Sequence, residues 1–287
     1  MIFEDWHTHN ELCRHAIGNC QNYVERAIEK NLTTIGLSDH FPYEYLAPII
    51  PSINQIPYHE YAMQLNEVNA YLTDIENLKE KFSSQINIKT GFEIDFFKNQ
   101  EIVLNNYLKP VVSRLDYIIG SVHILFSKLG IFAFDDRRFI ERYNLFNSID
   151  EIYILYFDTL DEMIQSDNFE FDIIGHFDLP KKFNKRPKDK EKVMEKVKTT
   201  LDIVKEKDLT IEINTSGLRR DVKEQYPSKE IIKEIYEREI PIILGSDAHH
   251  PDEIAYEFSN IIPLLKNIGY TQCAHFEKGK RSFIDLK

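Results

Sequence analysis

Short apolar runs rich in β-branched residues recur along the chain and alternate with longer amphipathic stretches. Such continuous runs, separated by helical patterns, are typical of parallel strands buried on both faces. They predict seven strands, near Ile2–His7, Thr33–Asp39, Ile86–Glu93, Tyr117–His123, Phe171–His176, Leu209–Asn214 and Ile240–Asp247. Apolar residues spaced by three or four predict helices between them. The clearest stripes are Tyr61, Leu65, Val68, Leu72, Ile75, Leu78 and Phe82, and Val193, Val197, Leu201 and Val204.

Seven strand-then-helix units favour the α/β class and a barrel closed by right-handed crossovers. Because the usual number is eight, we expect a distorted seven-stranded (β/α)7 TIM-like barrel. An open doubly wound sheet is the competing architecture. No linker rich in Gly, Ser or Pro divides the sequence, so residues 1–287 are interpreted as one domain. The charged stretch Lys181–Lys192 is interpreted as a solvated loop leading into a helix.

Charge and targeting signals narrow the class of protein. The formal net charge of -12 argues against a sequence-independent nucleic-acid binder. No apolar run approaches the roughly 20 residues of a membrane helix, and the N-terminus does not resemble a secretory signal. The three cysteines form no CxxC pair and suit a reducing compartment. We therefore expect a cytoplasmic protein without nucleic-acid or membrane partners, and the oligomeric state stays open.

The ends of the predicted strands carry most of the histidines. Seven of ten lie there, and His59, His250 and His275 fall elsewhere. In a barrel of parallel strands these ends converge on one face, where catalytic residues sit. His7 and His9 are two residues apart, so on an extended strand they point to the same side and can chelate one ion. Together with two acidic residues, the candidate metal ligands are His7, His9, His15, His40, Glu93, His123, His176, Asp247 and His249.

Nine ligands exceed one tetrahedral site, so two or three ions are needed to use them. Imidazole and carboxylate together suit Zn, Mn or Fe, and Cys13 is interpreted as a loop or core residue. Three divalent ions against the carboxylates of Glu93 and Asp247 would make a cationic cup inside an anionic protein. Such a cup suits a phosphate monoester, whose oxygens can bridge several ions.

The motifs HTHN, SDH, GFEID, GSVH, GHFDLPKKF, EINTSGLR and GSDAH together resemble the polymerase-and-histidinol-phosphatase (PHP) superfamily, in its histidinol-phosphatase branch. The resemblance runs from His7 to about His249. It implies a distorted seven-stranded barrel with three divalent ions. One ion would take His7, His9, Glu93 and Asp247; a second would take Glu93, His123 and His176; the third would take His15, His40 and His249.

The reaction implied by the resemblance is hydrolysis of L-histidinol phosphate to L-histidinol and phosphate, in histidine biosynthesis. A hydroxide bridging the first two ions is expected to attack phosphorus in line. The third ion would hold a non-bridging oxygen. Because an alkoxide leaves poorly, a general acid should assist. Asp178 and Asp39 are the candidates for that role, although each could instead orient a neighbouring imidazole.

Cationic side chains near two strand ends are candidates for binding the substrate phosphate. Arg219 and Arg220 follow the sixth predicted strand, and Lys181 and Lys182 follow the fifth. A solvated basic loop is the alternative for each.

Three other functions stay open. Another PHP-type phosphoesterase could act on a nucleotide, an oligonucleotide or phosphotyrosine. A C–N hydrolase of the amidohydrolase type also begins with HxH, but it would need a carboxylated lysine where this chain has Glu93. A catalytically silent metal-binding barrel would be expected to lack ligands.

Overall fold

Seven parallel strands form the centre of the protein. The structure, a computed structural model, describes residues 4–128 and 130–286. The strands of the main sheet are β1 (Glu4–Asp5), β2 (Thr34–Leu37), β3 (Asn87–Asp95), β4 (Tyr117–Ser121), β7 (Ile173–Ile174), β8 (Thr210–Asn214) and β9 (Ile242–Gly245). They are hydrogen-bonded in the order β1-β2-β3-β4-β7-β8-β9. All six pairings are parallel.

The two ends of this sheet meet and close it into a barrel. Trp6 N donates to Leu244 O across 3.0 Å, and His9 N donates to Ala248 O across 2.9 Å. Between these bonds, Thr8 and Ala248 form a parallel bridge. The prediction of a distorted seven-stranded barrel is therefore confirmed, and the open sheet is excluded. The predicted first strand begins at Ile2, which lies outside the described residues.

Within residues 4–128 and 130–286, seven α-helices surround the barrel: α1 (Cys20–Glu29), α2 (Val68–Lys81), α3 (Glu101–Leu108), α4 (Ile149–Gln165), α5 (Lys190–Glu206), α6 (Lys229–Glu237) and α7 (Phe258–Ile268). Their apolar faces pack on the sheet, and several begin at polar caps such as Ser148 and Ser228, whose side chains accept from the first turn. No helix in the described part of the chain is long and apolar enough to cross a membrane.

One helical stripe begins later than its spacing predicts. The predicted stripe starts at Tyr61, but α2 begins at Val68. Tyr61 instead follows the short 3-10 helix Tyr58–Glu60, and its hydroxyl donates to Asp136 Oδ2 across 2.5 Å. This aromatic side chain therefore lies at the mouth of the barrel rather than on a helix.

Two hairpins were not predicted. The first is β5 (Ile124–Ser127) with β6 (Gly130–Ala133), which explains why the segment after His123 is so apolar. The second is β10 (Gln272–Glu277) with β11 (Lys280–Asp285). Ala274 and Phe276 of β10 pack against apolar side chains of the barrel, including Trp6 and Tyr117. This hairpin therefore closes the barrel opposite the strand ends that carry the histidines.

Candidate functional site

The nine predicted metal ligands lie together at the carboxyl ends of the barrel strands. Eight of them are on, or just beyond, five strands and the closing turn after β9. His15 lies in the loop after β1 rather than at a strand end. The preceding residue, Arg14, has a left-handed φ of 74° after the 3-10 helix Glu11–Cys13 and turns the chain back toward the site. Four groups of three potential ligands have ligand atoms within 4.8 Å of one another: His7, His9 and Glu93; His40, Glu93 and His123; His15, His40 and His249; and His9, Cys13 and His249.

Four side chains surround a point deep in the barrel. His7 Nε2 and His9 Nε2 lie 3.2 and 3.4 Å from Glu93 Oε2. Asp247 Oδ1 lies 3.2 Å from His9 Nε2 and 3.9 Å from His7 Nε2. Ligands about 2.0–2.2 Å from a tetrahedral ion are themselves roughly 3.3–3.6 Å apart. The spacing of this group therefore fits one divalent cation, and neither Nε2 has a hydrogen-bond partner among the described residues.

The other oxygen of Glu93 faces a second pair of imidazoles. His176 Nε2 lies 2.9 Å from Glu93 Oε1, and His123 Nε2 lies 3.6 Å from it. His40 Nδ1 is on the opposite side, 3.1 Å from Glu93 Oε2. One carboxylate therefore joins two potential cation sites, as a bridging ligand must.

Two imidazoles at the rim face each other directly. His15 Nε2 and His249 Nε2 are 3.0 Å apart. The Nδ1 atom of His15 lies 2.9 Å from the carbonyl oxygen of Cys13, and the Nδ1 atom of His249 lies 3.1 Å from that of Asp247. In each ring, Nδ1 therefore carries the proton. Because both Nε2 lone pairs then point at one another, the arrangement calls for a cation between them. The donor set of this third group also fits a metal ion.

Carboxylates behind the imidazoles fix which nitrogen of each ring faces the site. His7 Nδ1 lies 2.7 Å from Glu212 Oε1, and His123 Nδ1 lies 2.8 Å from Asp95 Oδ1. His9 Nδ1 lies 3.3 Å from Asp39 Oδ1. Such contacts are typical of metal-binding histidines. They place Asp39 behind His9, a position that favours the orienting role over the general-acid role.

Glu212 received no role from the sequence. It lies in β8, it is 1% exposed, and its Oε2 also accepts from His176 N across 2.9 Å. An acidic residue inside the apolar run Thr210–Asn214 was the available signal, since a buried carboxylate needs partners. Gly245 on β9 makes room for it, because a Cβ there would lie 1.9 Å from Glu212 Oε1.

The electrostatics of the site differ from one imidazole to the next. Burial would lower the pKa of His7, but the carboxylates of Glu212 and Glu93 outweigh it and raise that pKa well above its usual value. Burial alone would raise the pKa of Glu93, but the imidazoles of His7, His40 and His123 outweigh it and hold that pKa well below its usual range. Burial and neighbouring imidazoles keep the pKa of His249 well below its usual value.

A cavity of about 520 Å³ opens over these ligands. Its wall includes several cationic side chains, among them Lys182, Arg219 and Arg220. Lys182 Nζ is held by Asp135 Oδ2 across 2.8 Å. The guanidinium of Arg220 makes no hydrogen bond or ion pair to any residue within 4–128 and 130–286. Of the four predicted phosphate-binding residues, Arg220 is therefore the one whose charge is free for a ligand.

Arg219 reaches the cavity but most of its guanidinium is engaged. Its Nη2 donates to Ser246 O and Asp247 O across 2.9 and 3.1 Å, and its Nε lies 3.2 Å from Glu253 Oε1. Glu253 in turn accepts from His249 N across 3.0 Å. Because Asp247 has a left-handed φ of 50°, these bonds hold a strained turn that carries two of the potential ligands.

The structure does not bring Lys181 or Asp178 to the described cavity wall. Lys181 is only 2% exposed, and its Nζ contacts Asp178 Oδ2 at 2.8 Å and Gln225 O at 2.7 Å. Interpreting Lys181 as the start of a solvated loop was therefore wrong, because a buried carboxylate binds it. Burial raises the pKa of Asp178 despite this ion pair. Its carboxylate also accepts from Ser228 N across 3.0 Å, so its position favours holding two loops together over proton transfer to a substrate.

Comparison with known proteins identifies the family. A sequence model of the PHP domain matches residues 5–216. The chain belongs to the PHP domain family. A Deinococcus radiodurans protein named "Probable histidinol-phosphatase" is 30% identical over 267 residues, which are 92% of this chain and 93% of that protein. The histidinol-phosphatase of Bacillus subtilis is 27% identical over 263 residues, 88% of this chain and 96% of that protein.

A solved structure shares the fold over nearly the whole chain. The histidinol phosphate phosphatase of Lactococcus lactis, crystallised with zinc, L-histidinol and phosphate, superposes with a TM-score of 0.75 at 19% identity. The match covers 97% of this chain and 98% of that one. The distorted PHP barrel is thus common to both proteins.

Proposed function

We propose that this PHP-domain protein hydrolyses L-histidinol phosphate to L-histidinol and phosphate. The observation that carries the proposal is the joining of cation-binding groups through Glu93 beneath a cavity with a free guanidinium, that of Arg220. Such a site suits a small phosphate monoester. The names of the relatives from Deinococcus radiodurans and Bacillus subtilis, which match most of this chain, support histidinol phosphate as the substrate.

Three divalent ions, of Zn, Mn or Fe, are proposed as cofactors. The residues assigned to them are His7, His9, Glu93 and Asp247 for the first, Glu93, His123 and His176 for the second, and His15, His40 and His249 for the third. Ions held there would supply Lewis-acid stabilisation of phosphoryl charge and a deprotonated water near neutral pH. The zinc reported with the Lactococcus lactis protein supports the choice of metals.

The chain's own side chains bind the substrate and supply a proton. Arg220 offers a planar pair of donors suited to phosphate oxygens, and Lys182 adds a second positive charge on the wall. Burial would raise the pKa of Asp135, but Lys182 outweighs it and holds that pKa below its usual value, so the carboxylate stays ionised. We assign proton delivery to the leaving alkoxide to Lys182 Nζ, because Asp178 and Asp39 lie behind the wall.

Phosphate release from histidinol phosphate by metal-loaded protein tests the proposal. Glu93→Gln and His123→Ala should each lower kcat/KM by at least 100-fold, because each removes an assigned ligand. A dinucleotide and a phosphotyrosyl peptide serve as competing substrates. Faster hydrolysis of either compound would show that it, and not histidinol phosphate, is the preferred substrate. Wild-type rates in both variants would refute the metal assignment.

A further inference from the structure

Tyr226 places a phenol in the wall of the cavity. Its backbone forms an antiparallel bridge with Asn214 at the end of β8, with Asn214 N donating to Tyr226 O across 2.6 Å and Tyr226 N donating to Asn214 O across 2.8 Å. These bonds attach the loop after β8 to the mouth of the barrel. The side chain is 0% exposed in the folded chain, yet it borders the cavity above the histidines.

The hydroxyl of Tyr226 has no hydrogen-bond partner among the residues that the structure describes. Buried tyrosine hydroxyls usually find one. Leaving such a group unpaired destabilises a folded protein, so a position that tolerates it deserves a functional explanation. Among the residues that line this cavity, His176 and Arg219 also carry a buried polar atom, Nδ1 and Nη1 respectively, without a partner among the described residues. The unpaired hydroxyl therefore points to a ligand.

Packing holds the ring of Tyr226 in place. Lys181 Nζ lies 5.4 Å from the ring centroid. On another side, a Cβ at Gly217 would come within 2.9 Å of Tyr226 Cε2, so glycine is needed there to admit the ring. A ring confined in this way presents its hydroxyl at a fixed position, which is what recognition of a substrate requires.

We propose that the Tyr226 hydroxyl donates a hydrogen bond to the phosphoryl group of the substrate, beside Arg220. The inference rests on the proposed function, since it assumes a phosphate monoester in this cavity. The phosphoryl end is the part of the substrate that Tyr226 contacts, because Arg220 and the assigned metal ligand Asp247 line the same cavity as its ring. A phenol suits this role because it donates to an anion without adding negative charge.

Replacement of Tyr226 by phenylalanine removes the hydroxyl and keeps the ring. A hydrogen bond to a charged partner corresponds to a change of about 10- to 150-fold. Tyr226→Phe should therefore lower kcat/KM for histidinol phosphate within that range, with metal content unchanged. Because the hydroxyl has no partner among the described residues, its removal should leave Tm unchanged or raise it. A structural hydroxyl would give the opposite shift in Tm.

Tyr270→Phe is the matched control. The hydroxyl of Tyr270 also lacks a partner among the described residues, but it lies by the C-terminal hairpin, beyond the closed end of the barrel. This variant should show the same small effect on Tm and wild-type kcat/KM. Equal activity of Tyr226→Phe and Tyr270→Phe would overturn the proposal, as would a lower Tm or metal content in Tyr226→Phe.

Binding of inorganic phosphate separates this proposal from the proposed function. Calorimetric titration of metal-loaded protein with phosphate needs no turnover. Weaker binding to Tyr226→Phe than to wild type and Tyr270→Phe would support the contact even if histidinol phosphate were not hydrolysed. Identical phosphate affinity in all three proteins would refute it even if histidinol phosphate were the substrate.

Discussion

Glu212 and His7 form a buried pair across 2.7 Å, although 205 residues separate them along the chain. The contact places the proton of the imidazole on Nδ1 and directs Nε2 toward Glu93 and Asp247. The second oxygen of Glu212 accepts from the backbone of His176 across 2.9 Å. One carboxylate thus orients His7 and His176, which are assigned to two different ions. Glu212 should therefore affect metal binding although it is not itself assigned as a ligand.

Glu212→Gln should weaken metal binding by about 10- to 100-fold, the usual effect of losing a carboxylate behind a ligating histidine. The substitution conserves shape, so circular dichroism of the metal-free protein should match wild type. Equilibrium dialysis against zinc gives the affinity directly. Glu206→Gln, at the exposed end of α5, is the control for the same chemical change. Unaltered zinc affinity in Glu212→Gln would show that the pair does not position His7 for a metal.

Replacement of Arg219 and of Arg220 by methionine should affect different properties of the protein, metal binding in one case and substrate binding in the other. Arg219 holds the turn at Asp247 and His249, so Arg219→Met should lower zinc affinity and kcat. Arg220 has a free guanidinium at the cavity, so Arg220→Met should raise KM about 10-fold or more and leave zinc affinity unchanged. Steady-state kinetics and dialysis on both variants check this division. A raised KM with normal zinc binding in both would mean that both arginines only bind substrate.

Much of the barrel, and the grouping of the candidate ligands at one mouth of it, could be predicted from the sequence. Strands such as Ile240–Asp247 are continuous apolar runs followed at once by polar motifs, and parallel strands force those motifs to one face. The convergence of His7 with Asp247 therefore needed only the order and direction of the strands. The hairpin β10–β11 was missed because its alternating polar side chains give a weak signal.

The roles of residues that depend on particular side-chain contacts could not be predicted from the sequence. Lys181 and Lys182 are neighbours with the same charge, yet one is buried against Asp178 and the other lies at the cavity. Their difference follows from which way each side chain leaves a single 3-10 turn, Leu179–Lys181. Glu212 and Tyr226 were overlooked for a related reason, since each is defined by a partner or a space that only the closed barrel provides.

Asp178→Asn should reduce stability far more than catalysis. The substitution removes a buried ion pair and leaves Glu224 Oε2, at 3.2 Å, as the charged partner of Lys181. The cost should therefore lie below the roughly 3–5 kcal/mol that removal of a sole partner typically causes. We expect a marked fall in the free energy of unfolding in urea and, below the melting transition, a kcat within about threefold of wild type. Asp167→Asn, at a side chain that is 94% exposed, serves as the control. A loss of kcat above 100-fold without a change in stability would restore Asp178 as the general acid.

Asp116 connects the barrel to the C-terminal hairpin. Its Oδ2 accepts from Lys79 Nζ across 2.7 Å and from Thr90 N across 2.9 Å, and its Oδ1 accepts from Lys278 N across 3.2 Å. Burial acts to raise the pKa of this carboxyl, but Lys79 and the backbone donors outweigh it and lower the pKa. The ionised form is therefore bound more tightly in the folded protein than in the unfolded chain.

A lowered pKa in the folded state means that this stabilisation is complete above the unfolded value of about 3.9 and is lost as pH falls through the folded value. Asp116→Asn should consequently destabilise the protein by about 1–3 kcal/mol at pH 7. The difference from wild type should shrink below pH 4, where the wild-type carboxylate becomes protonated. Urea unfolding of both proteins in the presence of a chelator, at pH 7, 5 and 3.5, removes the contribution of metal binding. A difference that stayed constant across this range would show that Asp116 stabilises the hairpin by packing rather than by its charge.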